Sequence, residues 1–353
     1  FFLSSLELGF YCIGAVLLLI AMRMPIGVAL ALMPFLGIAQ LRGLDVAFGM
    51  LKTIPFDFAA HWSLSAIPMF LLMGAIAHHS GISSALFRAA RLWLSALPGG
   101  LAVASNFACA GFAAASGSSV ATAAAMGRIA IPEMLKQGYD KGLATGTVAA
   151  AGTLGSLIPP SILFVLYGVF AEVSITKLLI AGVFPGLLTA TVYGAMIITR
   201  CKLNPNLAPR VDVEVDRAER YKALGAVWPL LVLILGIIGG LYGGIVTPTE
   251  AGAFGAFLAF VIGFLQGRMN LTVIWSSVLE AVTSTARIFF VAVGAVMLTK
   301  FLALTGMPVY LGQLIGDWAL DPLLLVIGAS LIYLLLGMFL DPLGILLITL
   351  PVL

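Results

Sequence analysis

Long apolar runs broken by short polar punctuation run through the whole chain. Residues 6–21, closed by Arg23, predict a first membrane span, and residues 25–40 a second. Residues 41–62 mix Arg42, Asp45, Lys52 and Asp57 into the apolar background and predict an interfacial connection. Residues 63–79 are apolar again and end in His78-His79-Ser80-Gly81, a helix stop with glycine past the last turn. Residues 82–97 set Arg88 and Arg91 among apolar neighbours, the pattern of an amphipathic helix lying at an interface. After the polar segment 200–222, apolar runs return at 223–242, 251–264, 282–304 and 323–339, with an interfacial piece at 268–275. The turn Thr247-Pro248-Thr249-Glu250 suits a helix start, and another helix is expected after Asp341-Pro342.

Two interruptions stand out. Residues 101–115 are apolar but short against the roughly 20 residues that a span needs. They meet Ser116-Gly117-Ser118-Ser119, and residues 120–134 lead back to Glu133, Lys136, Asp140 and Lys141. Two short arms around a polar tip predict a re-entrant hairpin near 99–135; the alternative is one long helix. Residues 142–157 and 162–170 form a second broken element, parted by Gly152-Thr153-Leu154-Gly155 and Pro159-Pro160-Ser161. Lipid cannot satisfy the backbone groups freed at such breaks, so they survive only where they line a cavity or bind something. A further span is expected at 177–198.

The halves of the chain can be laid on each other. Ala66 to Phe70 with Gly74-Ala75 is matched 220 positions on by Ala286 to Phe290 with Gly294-Ala295. Ser80-Gly81 falls on Thr305-Gly306, Pro25 on Pro248, and Ser116 on Asp341. The expectation is an all-α polytopic membrane protein with two inverted repeats, each with a re-entrant hairpin and broken helix. The first repeat covers 1–200, a cytoplasmic linker 201–224, and the second repeat 225–353. The second is expected to be incomplete in this chain, because the partner of the 152–161 break would lie beyond Leu353.

Composition agrees: hydrophobic residues are 61% and charged residues 9%, against roughly half and a quarter in soluble domains. The net charge of +3 comes from basic loop residues, which report topology rather than a nucleic-acid partner; the basic excess of 200–222 puts that segment in the cytoplasm. Cys12, Cys109 and Cys201 share no disulfide or metal-ligand spacing. No nucleophile elbow, His-Glu-x-x-His or P-loop is present, so neither an enzyme nor an ATP-driven pump is expected, with a membrane enzyme built on His78-His79 as the remaining alternative.

Ser116, Ser118, Ser119 and Thr122 offer hydroxyls, and Gly117 allows close backbone approach. Hydroxyls and carbonyls without carboxylates suit a hard monovalent cation such as Na+, whereas calcium prefers acidic oxygen shells. The competing reading is helix packing through small residues. Asp341 is an acid within an apolar run, hence either a functional group or a helix cap before Pro342. Arg287 is a candidate for an anionic substrate or for a buried structural pair.

The motifs Ser65-Ala66-Ile67-Pro68-Met69-Phe70, Ser116-Gly117-Ser118-Ser119-x-Ala121-Thr122, Gly152-Thr153-Leu154-Gly155-x-x-Ile158-Pro159-Pro160-Ser161, Thr247-Pro248-Thr249-Glu250-Ala251 and Phe339-Leu340-Asp341-Pro342 resemble the large membrane subunit of tripartite ATP-independent periplasmic (TRAP) transporters. The resemblance covers nearly the whole chain. It implies a sodium-coupled importer of small organic acids (C4-dicarboxylates, sialic acid or similar carboxylates) in the bacterial inner membrane, moving its site by an elevator motion. The implied partners are a periplasmic substrate-binding protein and a small four-helix membrane subunit. It implies sodium at Ser116, Gly117, Ser118, Ser119, Gly152 and Thr153 and near Asp341. Beside it, Thr122, Pro159, Pro160, Ser161 and Arg287 are the candidates for substrate contact. A stand-alone sodium/dicarboxylate carrier of similar build is the alternative.

Overall fold

The computed structural model describes residues 4–209, 217–317, 322–337 and 342–349. Among them the chain forms helices and no strands: α1 Ser5–Ala21, α2 Ile26–Arg42, α3 Leu44–Ala59, α4 Ala66–His79, α5 Ile82–Leu94, α6 Gly100–Ser116, α7 Ser119–Lys136, α8 Lys141–Gly152 and α9 Ile162–Phe170. There follow α10 Ile175–Leu203, α11 Arg217–Gly225, α12 Trp228–Tyr242, α13 Pro248–Leu265, α14 Leu271–Thr305, α15 Met307–Asp317, α16 Pro322–Gly337 and α17 Pro342–Thr349. Among the described residues, Ile175–Leu203, Arg217–Tyr242, Pro248–Leu265 and Leu271–Thr305 are long and apolar enough to cross a membrane. Leu44–Ala59 with Trp62–His79, bent by 60°, adds a fifth if it counts as one span. With its apolar composition, this makes a multi-pass membrane protein.

Local chemistry sets many of the ends. Thr247 caps α13 in a capping box: its hydroxyl accepts from the Glu250 amide, while the Glu250 carboxylate accepts from the Thr247 amide at 2.8 Å. Ser4 and Glu7 do the same for α1. Gly81 and Gly306 follow α4 and α14 with φ of 80° and 73°, a region open to glycine. Cys12, Cys109 and Cys201 are free and buried, acting as small apolar side chains.

Two stretches differ from the expectation. Residues 41–62, expected as an interfacial connection, are mostly helical, forming α3. The helix expected at 282–304 begins eleven residues earlier, so most of the interfacial piece at 268–275 belongs to α14. Hydropathy stops the run at Glu280, yet Glu280 sits inside the helix and is matched by His79, with His79 Nε2 2.8 Å from Oε2. A partnered acid no longer has to lie outside a span.

The chain divides into two compact units, Phe1–His61 with Thr285–Leu353, and Trp62–Ser284. In the first, α2 lies against α14: a Cβ on Gly27 would sit 2.5 Å from Cδ1 of Phe290, and one on Gly294 would sit 2.9 Å from the Gly27 carbonyl oxygen. In the second, α13 packs on α4: a Cβ on Gly252 would sit 3.1 Å from the Ala66 carbonyl oxygen and 3.4 Å from Cδ2 of Phe70. Phe70 and Phe290 are the residues that the 220-position offset aligns. Each unit therefore packs a glycine face of one half of the sequence onto an aromatic of the other half.

Candidate functional site

The site grows from one turn in the second unit. Helix α6 ends at Ser116, and Gly117 turns the chain with φ 62°, its amide still donating to the Ala113 carbonyl at 2.9 Å. Ser118 is extended (φ −131°, ψ 126°) and caps α7, its hydroxyl accepting from the Ala121 amide at 3.3 Å. Neither the left-handed conformation of Gly117 nor the extended one of Ser118 continues an α-helix, so one rod is broken and the chain reverses.

The reversal makes an antiparallel hairpin. At its base the Leu101 amide donates to Tyr139 Oη at 3.2 Å, and the Ser105 hydroxyl reaches Met134 Sδ at 3.9 Å. Burial pushes the Tyr139 phenol above its ordinary value. Outside the base, Arg91 of α5 pairs with Glu133 of α7 at 2.6 Å. The α6 arm spans only about 25 Å at 1.5 Å per residue.

The second break closes over the tip. Helix α8 tightens into a 3-10 turn, Thr153–Ser156, and helicity resumes at Ile162; the Pro159–Pro160 bond between them is cis. The Ile162 amide donates to the Gly117 carbonyl at 3.1 Å. A Cβ on Gly117 would lie 2.5 Å from the Pro160 carbonyl oxygen. A Cβ on Gly155 would strike the Ser118 carbonyl group, with its carbon at 2.6 Å; one on Gly152 would lie 2.7 Å from Ala123 Cβ. From the other side, a Cβ on Gly74 of α4 would lie 2.8 Å from Ser116 Cα. Glycines on three elements thus let backbone touch backbone around residues 116–119.

Most of the tip's polar atoms are withdrawn from the surface. Ser116, Thr122 and Ser161 are at most 1% exposed. The Ser116 and Thr122 hydroxyls bond each other at 2.8 Å. Thr153 donates to the Ala150 carbonyl at 2.6 Å, Ser156 to that of Thr153 at 2.6 Å, and Ser161 to that of Ser156 at 2.7 Å. A hydroxyl that donates its proton inward keeps its oxygen lone pairs for another partner. Residues 111–122 and 150–162 hold no ionisable side chain. Four helix ends meet here. The carbonyl ends at Ser116 and Ser156 carry partial negative charge, and the amide ends at Ser119 and Ile162 partial positive charge. The arrangement can take a cation against the former and an anion against the latter.

The structure brings together Ser116, Gly117, Ser118, Ser119, Thr122, Gly152, Thr153, Pro159, Pro160 and Ser161 around this tip, although Thr153 is exposed and its hydroxyl is turned to its own helix. Arg287 stands exposed on α14, in the other unit. Asp341 lies outside the described residues. Among the described residues no group of three His, Cys, Asp or Glu side chains could hold a metal ion. Gly74 and Gly155 were not singled out as site residues; the signal for Gly74 was a lone glycine inside an apolar helix. Asn106 of α6 is a buried polar side chain away from the tip. It is fully buried, and its Nδ2 donates to the Ala190 carbonyl at 2.8 Å.

A family profile described as "Tripartite ATP-independent periplasmic transporter, DctM component" matches residues 13–353. The chain belongs to this family. Among the relatives of this TRAP permease, the C4-dicarboxylate TRAP transporter large permease protein of Pseudomonas aeruginosa is 38% identical over 84% of this chain and 69% of its own length. The isethionate TRAP transporter permease protein of Oleidesulfovibrio alaskensis is 32% identical over 96% of this chain and 53% of its own. The 2,3-diketo-L-gulonate TRAP transporter large permease protein of Escherichia coli is 32% identical over 97% and 79%. These relatives are named for transport, not catalysis, and their cargoes differ.

Proposed function

We propose that this TRAP permease imports a small organic acid across the bacterial inner membrane, coupled to sodium, after a periplasmic substrate-binding protein hands the acid over and with a small four-helix membrane subunit beside it. The observation that carries the reading is the clasped tip, where the Ile162 amide meets the Gly117 carbonyl at 3.1 Å between two broken helical elements. Sodium is held by hydroxyl and carbonyl oxygens of Ser116, Gly117, Ser118 and Ser119 with Gly152 and Thr153. The acid's carboxylate lies toward Thr122, Pro159, Pro160, Ser161 and the amide end of α9. Asp341 serves the corresponding second ion site.

The two inverted repeats belong to this proposal. Their support is the reciprocal packing of Gly27 on Phe290 and Gly252 near Phe70. An elevator motion is the transport step we attach to this reading, and it leaves the tip assembled, because residues 116–119 and 152–162 belong to one compact unit. The relatives' printed cargoes include C4-dicarboxylate, isethionate and 2,3-diketo-L-gulonate, which supports an anionic cargo here.

Uptake into proteoliposomes tests the proposal. The expected result is acid accumulation that needs an inward sodium gradient, the binding protein and the small subunit together. Uptake indifferent to sodium overturns the ion site. Sodium-driven uptake without a binding protein replaces the reading with a stand-alone carrier.

A further inference from the structure

A second polar feature lies in the same unit and has no part in the tip. Where α4 and α13 end and α12 and α14 begin, α5 and α11 frame a groove of about 1030 Å³. Its walls carry Arg88, Lys222, Arg268 and His79 against one lining carboxylate, Glu219, with the exposed Ser84 hydroxyl beside them. Arg88 is paired with Glu219 at 2.9 Å and His79 with Glu280 at 2.8 Å. Lys222 and Arg268 form no ion pair among the described residues; Arg268 donates to the Ser80 carbonyl at 3.2 Å, which holds its guanidinium at the groove wall. Among the described residues, two cations are thus left without an ion-pair partner in one concavity.

The level of the groove is set by its neighbours. Trp93 of α5 and Tyr221 of α11 stack edge to face at 5.8 Å, both exposed, and the Trp93 indole donates to the Arg220 carbonyl at 3.3 Å. Trp228 and Trp275, near the starts of α12 and α14, are exposed as well. Exposed Trp and Tyr at the ends of spanning helices mark headgroup depth. The groove borders the basic 200–222 segment, whose charge puts this side in the cytoplasm, where the leaflet is anionic.

We propose that this groove binds the phosphodiester of an anionic membrane phospholipid, with Lys222 and Arg268 on the phosphate and Ser84 and Glu219 on headgroup hydroxyls. The lipid would tie α5 and α11 to the turn between α13 and α14. The site requires only that the chain spans a membrane, so it stands or falls apart from sodium coupling.

Native mass spectrometry of the intact permease carrying this chain, purified in detergent and supplied with phosphatidylglycerol or phosphatidylcholine, tests it. Wild type should retain phosphatidylglycerol in preference to phosphatidylcholine. Lys222→Gln should lower that retention about fivefold, and Lys222→Gln with Arg268→Gln further, at about one such factor per cation. Arg268→Lys should restore most of what Arg268→Gln loses. Lys222→Gln alone is read if the double variant fails to fold. Equal retention of both lipids, retention unchanged in Lys222→Gln, or phosphatidylglycerol displaced by millimolar inorganic phosphate overturns the proposal; the last would make it a free-phosphate site.

Discussion

The tip at Gly117 and the groove at Arg268 belong to one compact unit and are built in opposite ways. The tip has no ionisable side chain and is closed by glycines that bring backbone against backbone. The groove is open and owes its character to long charged side chains at its wall. Fixed partial charges on helix ends cost little to bury and hold a small ion weakly. Formal charges attract strongly but must stay near water. A site that has to release its ion on each cycle suits the first construction, and a permanent attachment to a charged surface suits the second.

Four substitutions put the contrast under strain. Gly155→Val should be the most damaging, because its Cβ meets the Ser118 carbonyl carbon at 2.6 Å and the Ser119 amide at 2.8 Å, and backbone cannot step aside. A loss of about 3 kcal/mol or more is expected, read as a lowered thermal midpoint together with abolished uptake; a wild-type melting curve would mean that the clasp does not bear on the fold. Gly117→Ala comes next. Its φ of 62° costs an alanine about 1–2 kcal/mol, and the Pro160 carbonyl oxygen 2.5 Å away adds crowding. Sodium-dependent uptake should drop while the protein still expresses.

Ser119→Ala should leave the melting temperature within a degree or so of wild type and raise the sodium concentration for half-maximal uptake about tenfold, the worth of one contact to a charged group. An unchanged sodium dependence removes Ser119 from the ion's surroundings. The smallest effect belongs to the groove: Glu219→Gln breaks an exposed pair with Arg88 and should change stability by less than about 1 kcal/mol. Chemical denaturation at low and high salt checks it, with the difference vanishing at high salt.

Much of this was legible in the residues. The arms at 101–115 and 120–134, the break at Pro159-Pro160 and the helix start at Thr247 follow from apolar runs and capping chemistry, which are local. The full length of α14 was not legible, because the partner that lets Glu280 sit inside a helix, His79, lies 201 positions away. The same holds for Gly74, whose reason for being glycine is the approach of Ser116. Window-based hydropathy averages over neighbours in sequence and is blind to both. The groove was equally hidden: Arg88, Lys222 and Arg268 stand on separate elements, and each alone reads as an interfacial base.

A tip without ionisable groups also has an electrical consequence. In the proposed cycle the emptied tip carries no formal charge of its own, whereas Asp341 at the second ion site brings one negative charge. A membrane potential of 100 mV is worth about 2.3 kcal/mol for each elementary charge carried across. The tip itself feels that drive only on the loaded passage, through its bound sodium and the acid's own negative charge. Voltage then acts on the tip only when it is loaded, and on the homeward leg only through Asp341.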